Sequence, residues 1–165
     1  MKIKLIPFNA SHLEDSRKWM NNKQISRLFC RPYKVITPQA QKKWYANFKQ
    51  DKTHLILAIQ VDGVYVGNIG LKNIDLINKK AEYYIFIGNK DYWGKGIGKQ
   101  ATQQLLSYIT KNLKLHKIYL VVDKTNQAAI RLYHKIGFVE EGVLKDELFY
   151  SNKYLTMIRM AYFLK

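Results

Sequence analysis

Gly94, Gly96 and Gly98 stand at alternate positions in Tyr92-Trp93-Gly94-Lys95-Gly96-Ile97-Gly98-Lys99. Glycine accepts the left-handed backbone of a tight curl, so such a loop can turn its N–H groups inward. Ala101, Leu105, Leu106, Ile109 and Leu113 follow at helical spacing,. A glycine loop that opens a helix favours phosphate, through unpaired amides and through the helix dipole. The expected chemistry is the holding of a phosphorylated cofactor, with a glycine-rich surface turn as the plain alternative. A Walker A loop is excluded, because Gln100 follows Gly98-Lys99 and Trp93 stands where the first glycine belongs,. The dinucleotide fingerprint fails as well, since its third glycine would fall on Lys99,.

Two further residues could act on protons. In an alternating strand Glu82 shares a face with Tyr84 and Phe86, while Tyr83 and Ile85 face the other way,. It is the candidate base or, equally, a solvent-facing strand carboxylate; Asp75 is a second choice. Tyr133 follows Ala129 and Ile130 along a helical stretch and reads from spacing alone as a core tyrosine. Cys30 stands alone, which argues against a disulfide framework and fits a reducing cytoplasm,. His12, His54, His116 and His134 are scattered, so no metal site is expected,.

These residues need positioning elements, and the pattern supplies them. A strand is expected at about 2–6. Ser11-His12-Leu13-Glu14 reads as a capping box for a helix ending at Asn21-Asn22,. Thr37-Pro38 opens another helix, with Ala40, Trp44, Tyr45 and Phe48 as its buried stripe,. Strands at 54–61 and 64–71 flank the Asp62-Gly63 turn, and a third covers 81–87,. A helix over 96–112, a strand over 117–123 and a helix over 127–136, capped by Thr125 or Asn126, come next. Strands at 138–149 and 153–163, joined at Ser151-Asn152, close the chain. The order predicts an α/β fold: a mixed, mostly antiparallel twisted sheet of about seven strands with helices on both faces.

At 165 residues, with 47% hydrophobic and 13% aromatic content, the chain suits one folded domain over 1–165,. No apolar run approaches a membrane span, and the N-terminus lacks a signal-peptide core,. The 28 Lys+Arg against 12 Asp+Glu give a net charge of +16, a field that attracts anions,. The lysines are spread along the chain, so a general compositional bias is the first explanation.

The element order and three segments resemble the GCN5-related N-acetyltransferase (GNAT) superfamily. The segments are Ala81–Ile87, the loop Tyr92–Gly98, and Asn126 through Gly137-Phe138. The likeness is strongest to the branch of ribosomal-protein N-terminal, spermidine and amino-sugar acetyltransferases. Trp93 departs from the Gln/Arg that opens the family's loop pattern, while Gly96 and Gly98 match it. The resemblance implies a single GNAT fold and acetyl-CoA as co-substrate. Gly94, Lys95, Gly96, Ile97, Gly98 and Lys99 would cradle its pyrophosphate. Phe86, Ile87 and Gly88 would meet its pantetheine arm where strand four splays from strand five, and Asn126 would contact it. Tyr133 would protonate the departing thiolate, and Glu82 would relay the amine's proton through water.

The implied reaction acetylates a primary amine. A lysine-like amine with pKa ~10.4 costs ~4–5 kcal/mol to deprotonate at pH 7, an α-amine at ~7.7 only ~1. A demanding base is thus needed for one acceptor class and hardly for the other. The positive field favours an anionic small molecule such as an amino-sugar nucleotide. N-terminal acetylation of a protein, such as a ribosomal one, and acetylation of a polyamine are the alternatives; a non-catalytic basic binding module comes last. Phe29, Arg31 and Tyr33, between the first two helices, are the expected acceptor contacts. Neither a membrane nor nucleic acid as direct substrate is expected, and a homodimer is compatible with the chain.

Overall fold

The computed structural model describes residues 1–26 and 33–164. Strand β1 (Ile3–Pro7) leads through a 3-10 turn (Ala10–His12) into helices α1 (Leu13–Met20), α2 (Lys23–Ser26) and α3 (Pro38–Phe48). Strands β2 (Leu55–Val61), β3 (Val64–Asp75) and β4 (Lys80–Ile87) form a meander. Helix α4 (Ile97–Asn112), strand β5 (Lys117–Asp123), helix α5 (Gln127–Ile136) and the hairpin β6 (Val139–Tyr150)–β7 (Lys153–Phe163) complete the described chain. The strands form one sheet in the order β1-β2-β3-β4-β5-β7-β6. Only β4 and β5 run parallel. The expected α/β architecture is present.

Side-chain alternation along β2 explains the layers. Leu57, Ile59 and Val61 join the main core with Ile97, Ala101, Leu105 and Ile109 of α4 and Ile130 of α5. Ile56 and Ala58 point the other way and pack with Phe8, Leu13, Tyr45 and Phe48 below α1 and α3,. The Asp62-Gly63 turn takes left-handed angles at both positions (φ 49 and 85), which match the twist of its flanking strands,. Thr37 caps α3 through its hydroxyl, which accepts from the Ala40 amide at 3.1 Å, and Asn126 is the cap of α5.

Three expectations need correction. The first cap is Asn9 with His12, not Ser11 with Glu14. The chain enters a 3-10 turn before α1, so Asn9 Oδ1 accepts from the Ser11 amide and the Asn9 amide donates to His12 Nδ1. Glu14 instead pairs with Arg17 at 2.7 Å. On α3 the buried contact is Gln41, whose amide donates to the Leu13 carbonyl at 2.7 Å. Tyr45 and Phe48 are half-buried, whereas Ala40 and Trp44 are exposed, Trp44 at 40%. The helix rests on the sheet by one edge and presents the other to a cleft. β3 also runs four residues past the expected end, to Asp75, and α2 was not anticipated.

The His12 cap makes a pH prediction. Burial pushes the pKa of His12 down, and burial does the same at half-buried His54. A histidine with a depressed folded pKa binds fewer protons folded than unfolded. Its stability contribution is therefore intact above about pH 6.5 and is lost as pH falls toward the folded value. Thermal melts should decline from neutral pH toward pH ~5, and His12→Gln should flatten part of that decline.

Candidate active site

Strands β4 and β5 pair only at Lys80↔Lys117, Ala81↔Ile118 and Glu82↔Tyr119. Beyond Glu82 they part: β4 continues against β3 as far as Gly67↔Ile87, and β5 against β7 as far as Asp123↔Met157. The gap opens into a cleft of about 1650 Å³. That exceeds the ~300–1,000 Å³ of an ordinary small-molecule pocket and suits two substrates meeting within it. The Gly88 amide donates to the Val66 carbonyl at 2.8 Å. By antiparallel alternation this turns the main chains of Gly88 and Phe86 toward β3, and those of Ile85 and Ile87 toward the cleft,. Ile87 presents its carbonyl to Trp93 Nε1 at 2.8 Å. Trp93, the departure from the family loop pattern, thus ties the loop to the end of β4. Gly88 packs under Trp19, where a Cβ would lie 2.0 Å from the indole. Ile85 was missed in the sequence, although period-two counting back from Ile87 would have found it.

The glycine loop closes one end of the cleft. Gly96, with φ +74, is the N-cap of α4 and supplies no side-chain cap. The first helical bond runs from the Gln100 amide to the Gly96 carbonyl. The amides of Gly94 through Lys99 therefore have no partner among the described residues. Six such N–H groups at the start of a 16-residue helix, with Lys95 and Lys99 beside them, suit a diphosphate,. Inside the core, fully buried Thr102 accepts or donates at 2.7 Å with the Tyr83 hydroxyl and bonds the Gly98 carbonyl at 2.7 Å. This contact ties the start of α4 to β4 and sets the loop at the mouth of the splay.

Tyr133 of α5 lines the same cleft. Its ring meets Tyr83 edge-on at 6.1 Å and Phe138 at 5.6 Å. Burial pushes its hydroxyl up to about 12, so it stays protonated at neutral pH, and that hydroxyl has no partner among the described residues. Asn126 Oδ1 accepts from the Ala129 amide at 3.2 Å, which orients the side chain at the cleft wall. His134, next in sequence, is exposed and lies 3.4 Å from Glu140.

Across the splay, Glu82 lies on the face that carries α1 and α3. Lys72 Nζ stands 2.8 Å from one carboxylate oxygen, and Asn73 Nδ2 donates to the other at 3.1 Å. His54, Gln41 and Trp44 also line the cleft, as do Tyr150, Ser151 and Lys153 around the β6–β7 turn. The fold thus brings the glycine loop, Phe86, Ile87, Asn126, Tyr133 and Glu82 to one cleft. Tyr33 is not among its walls: its hydroxyl donates to the Asn21 carbonyl at 2.9 Å. Phe29 and Arg31 lie outside the described residues. Asp75 caps its own turn, accepting from the Asn78 amide at 2.8 Å and from Asn78 Nδ2 at 2.7 Å, away from the cleft. Among the described residues no cluster of His, Cys, Asp and Glu could hold a metal ion, and no helix is long and apolar enough to cross a membrane.

Comparison with known proteins agrees with this geometry. Residues 2–139 match the family described as Acetyltransferase (GNAT) domain. The chain is 32% identical to spermidine N(1)-acetyltransferase of Escherichia coli K12 over 162 residues, 98% of this chain and 86% of that one. It is 39% identical to the Vibrio cholerae spermidine N(1)-acetyltransferase over 95 residues, 58% of this chain and 54% of that one. A crystal structure of the Vibrio cholerae spermidine N-acetyltransferase with CoA and spermine superposes with a TM-score of 0.92 at 27% identity, covering 98% and 95% of the two chains. A dodecameric structure of spermidine N-acetyltransferase from that organism gives 0.85 at 29% identity, over 98% and 94%. A cleft between parting strands, a partnerless amide cradle and this extent of likeness converge: the chain belongs to the GNAT family and is an N-acetyltransferase that draws its acetyl group from acetyl-CoA.

Proposed function

We propose that the chain acetylates a primary amine of a small molecule, with donor and acceptor meeting in the cleft between β4 and β5. The single observation that carries this reading is the parting of β4 from β5 immediately after Glu82, with Tyr133 on one wall and Glu82 on the other. The amides of Gly94–Lys99 bind the diphosphate of acetyl-CoA, and Lys95 and Lys99 add charge. The Ile85 and Ile87 main chains meet its pantetheine arm, and Asn126 offers its side-chain amide. Bound acetyl-CoA supplies the thioester carbon that the amine attacks. Glu82 takes the amine's proton through water, and Tyr133 gives its own to the departing sulfur. A hydroxyl held at about 12 by burial is fully protonated for that task at neutral pH,.

Two acceptor readings follow from different observations. Likeness to spermidine acetyltransferases over nearly the whole chain supports a polyamine. The net charge of +16 is the observation behind the second reading, an anionic amine such as an amino-sugar nucleotide,. Acetyl-CoA-dependent thiol release with a panel of amines, followed by mass spectrometry of the products, tests the reaction. Glu82→Gln should lower the rate at neutral pH by about 10²-fold. That deficit should shrink as pH approaches the acceptor's own pKa, where the amine needs no base. A deficit constant across pH would remove Glu82 from the proton path.

A further inference from the structure

We infer that Trp44 sets acceptor specificity: its indole face holds, by cation–π attraction, the ammonium of a polyamine that does not react. The inference rests on the polyamine reading of the proposed acetyl transfer and names the group that recognises the second charge. An ammonium drawn out of water needs a compensating partner. The described cleft walls carry two carboxylates, Glu82 and Asp123. Glu82 has both oxygens engaged, by Lys72 and Asn73. Asp123 accepts from the Thr125 amide at 2.7 Å and the Thr125 hydroxyl at 2.8 Å, in the turn before α5. Positions 16–50, which run from within α1 through α3, hold no Asp or Glu. On the α3 side a second ammonium therefore needs a neutral partner, and the face of an aromatic ring is one.

Tryptophan offers a cation the strongest such face. Trp44 lines the cleft and is 40% exposed. Phe48 stacks on it at 5.7 Å and 12°, and Phe8 meets it edge-on at 6.2 Å, so two uncharged rings fix the indole plane. Ala40, one turn earlier on α3, also lines the cleft and adds only a methyl beside the ring,. Five described rings already carry a lysine or arginine, among them Tyr45, next in sequence, under Lys49 at 5.6 Å. No described cation stands over Trp44, although Lys42 and Lys43 precede it. Aromatic contacts continue from Phe48 to His54 at 5.5 Å and on to Tyr84 at 5.8 Å. Burial lowers the pKa of His54, so this row adds no positive charge at neutral pH. Trp93 also lines the cleft, but its Nε1 is tied to the Ile87 carbonyl beside the glycine loop, at the end proposed for the diphosphate.

The test compares spermidine, the diamine of equal length that lacks the middle nitrogen, and the monoamine in which a methyl replaces the far ammonium. Trp44→Leu should raise KM for spermidine and the diamine by about tenfold, within the range of a desolvated cation on an aromatic face. The KM of the monoamine should hold, as should coenzyme A affinity and the melting temperature. Trp44→Phe keeps an aromatic face and should retain most of the preference. Fluorinated tryptophans installed at position 44 keep the ring shape and weaken its negative face. They should raise KM for spermidine stepwise with each fluorine and leave the monoamine unmoved, which a merely apolar wall would not do. Equal losses for all three amines, or a KM indifferent to fluorination, would overturn the inference and leave acetyl transfer standing. Turnover of none of the three would sink the polyamine reading and the inference together.

Discussion

Tyr133→Phe is expected to lower kcat by about 10²- to 10⁴-fold, the range that a positioned general acid contributes. The substitution removes one hydroxyl and keeps the ring, so the edge-on contact with Tyr83 and the contact with Phe138 survive. Because that hydroxyl bonds no described residue, its loss strands no partner, and the melting temperature should hold,. Coenzyme A affinity, measured by calorimetry, should also hold, since the proposed diphosphate cradle is the loop at the start of α4. The informative pattern is a fall in kcat and kcat/KM together. A variant that loses cofactor affinity while keeping kcat would assign Tyr133 to binding and remove it from the proton path. The wild-type rate should show no alkaline fall from Tyr133 below pH ~10, because burial keeps it protonated there,.

Gly98→Leu is expected to weaken coenzyme A binding by about 100-fold, ~2.7 kcal/mol, with the fold intact. A Cβ at this position would meet only Leu132 at 3.6 Å and Ile85 at 3.9 Å, ordinary contacts, so the first atom is tolerated. A longer branch projects into the space between the α4 N-terminus and β4, where the proposed binding mode puts the diphosphate and the pantetheine arm. Gly96 would make a poorer probe. Its φ of +74 adds ~1–2 kcal/mol of backbone strain to any L side chain, so a loss of stability would be confused with a loss of binding,. Unchanged calorimetric affinity in a folded Gly98→Leu protein would move the cradle elsewhere.

Local chemistry made many of the elements legible. Thr37-Pro38 and Asn126 announce helix starts because a side-chain oxygen satisfies amides a few residues away. Asp62-Gly63 announces a hairpin because two left-handed residues are rare outside such a turn. The cap before α1 was misread because Ser11 and Glu14 have the right spacing, yet the 3-10 turn shifts the helix entry to Asn9 and His12. The α3 stripe was misread for another reason. A helical period reports which residues share a face, but not whether a tryptophan on that face meets a sheet or a cleft. Ile85 was overlooked because the direction of its amide depends on which neighbour β4 pairs with.

Glycine spacing, the helix behind it and the order of strands and helices were set by the amino-acid sequence, because each depends on contacts within a few residues. The sequence also carried the family likeness and, with it, the cofactor. Tertiary structure alone decided where β4 leaves β5, since parting after Glu82↔Tyr119 depends on α4, β3 and β7 together. It also decided that Lys72 lies against Glu82. Ten positions separate them along the chain, and only the register of β3 on β4 brings the ammonium to the carboxylate.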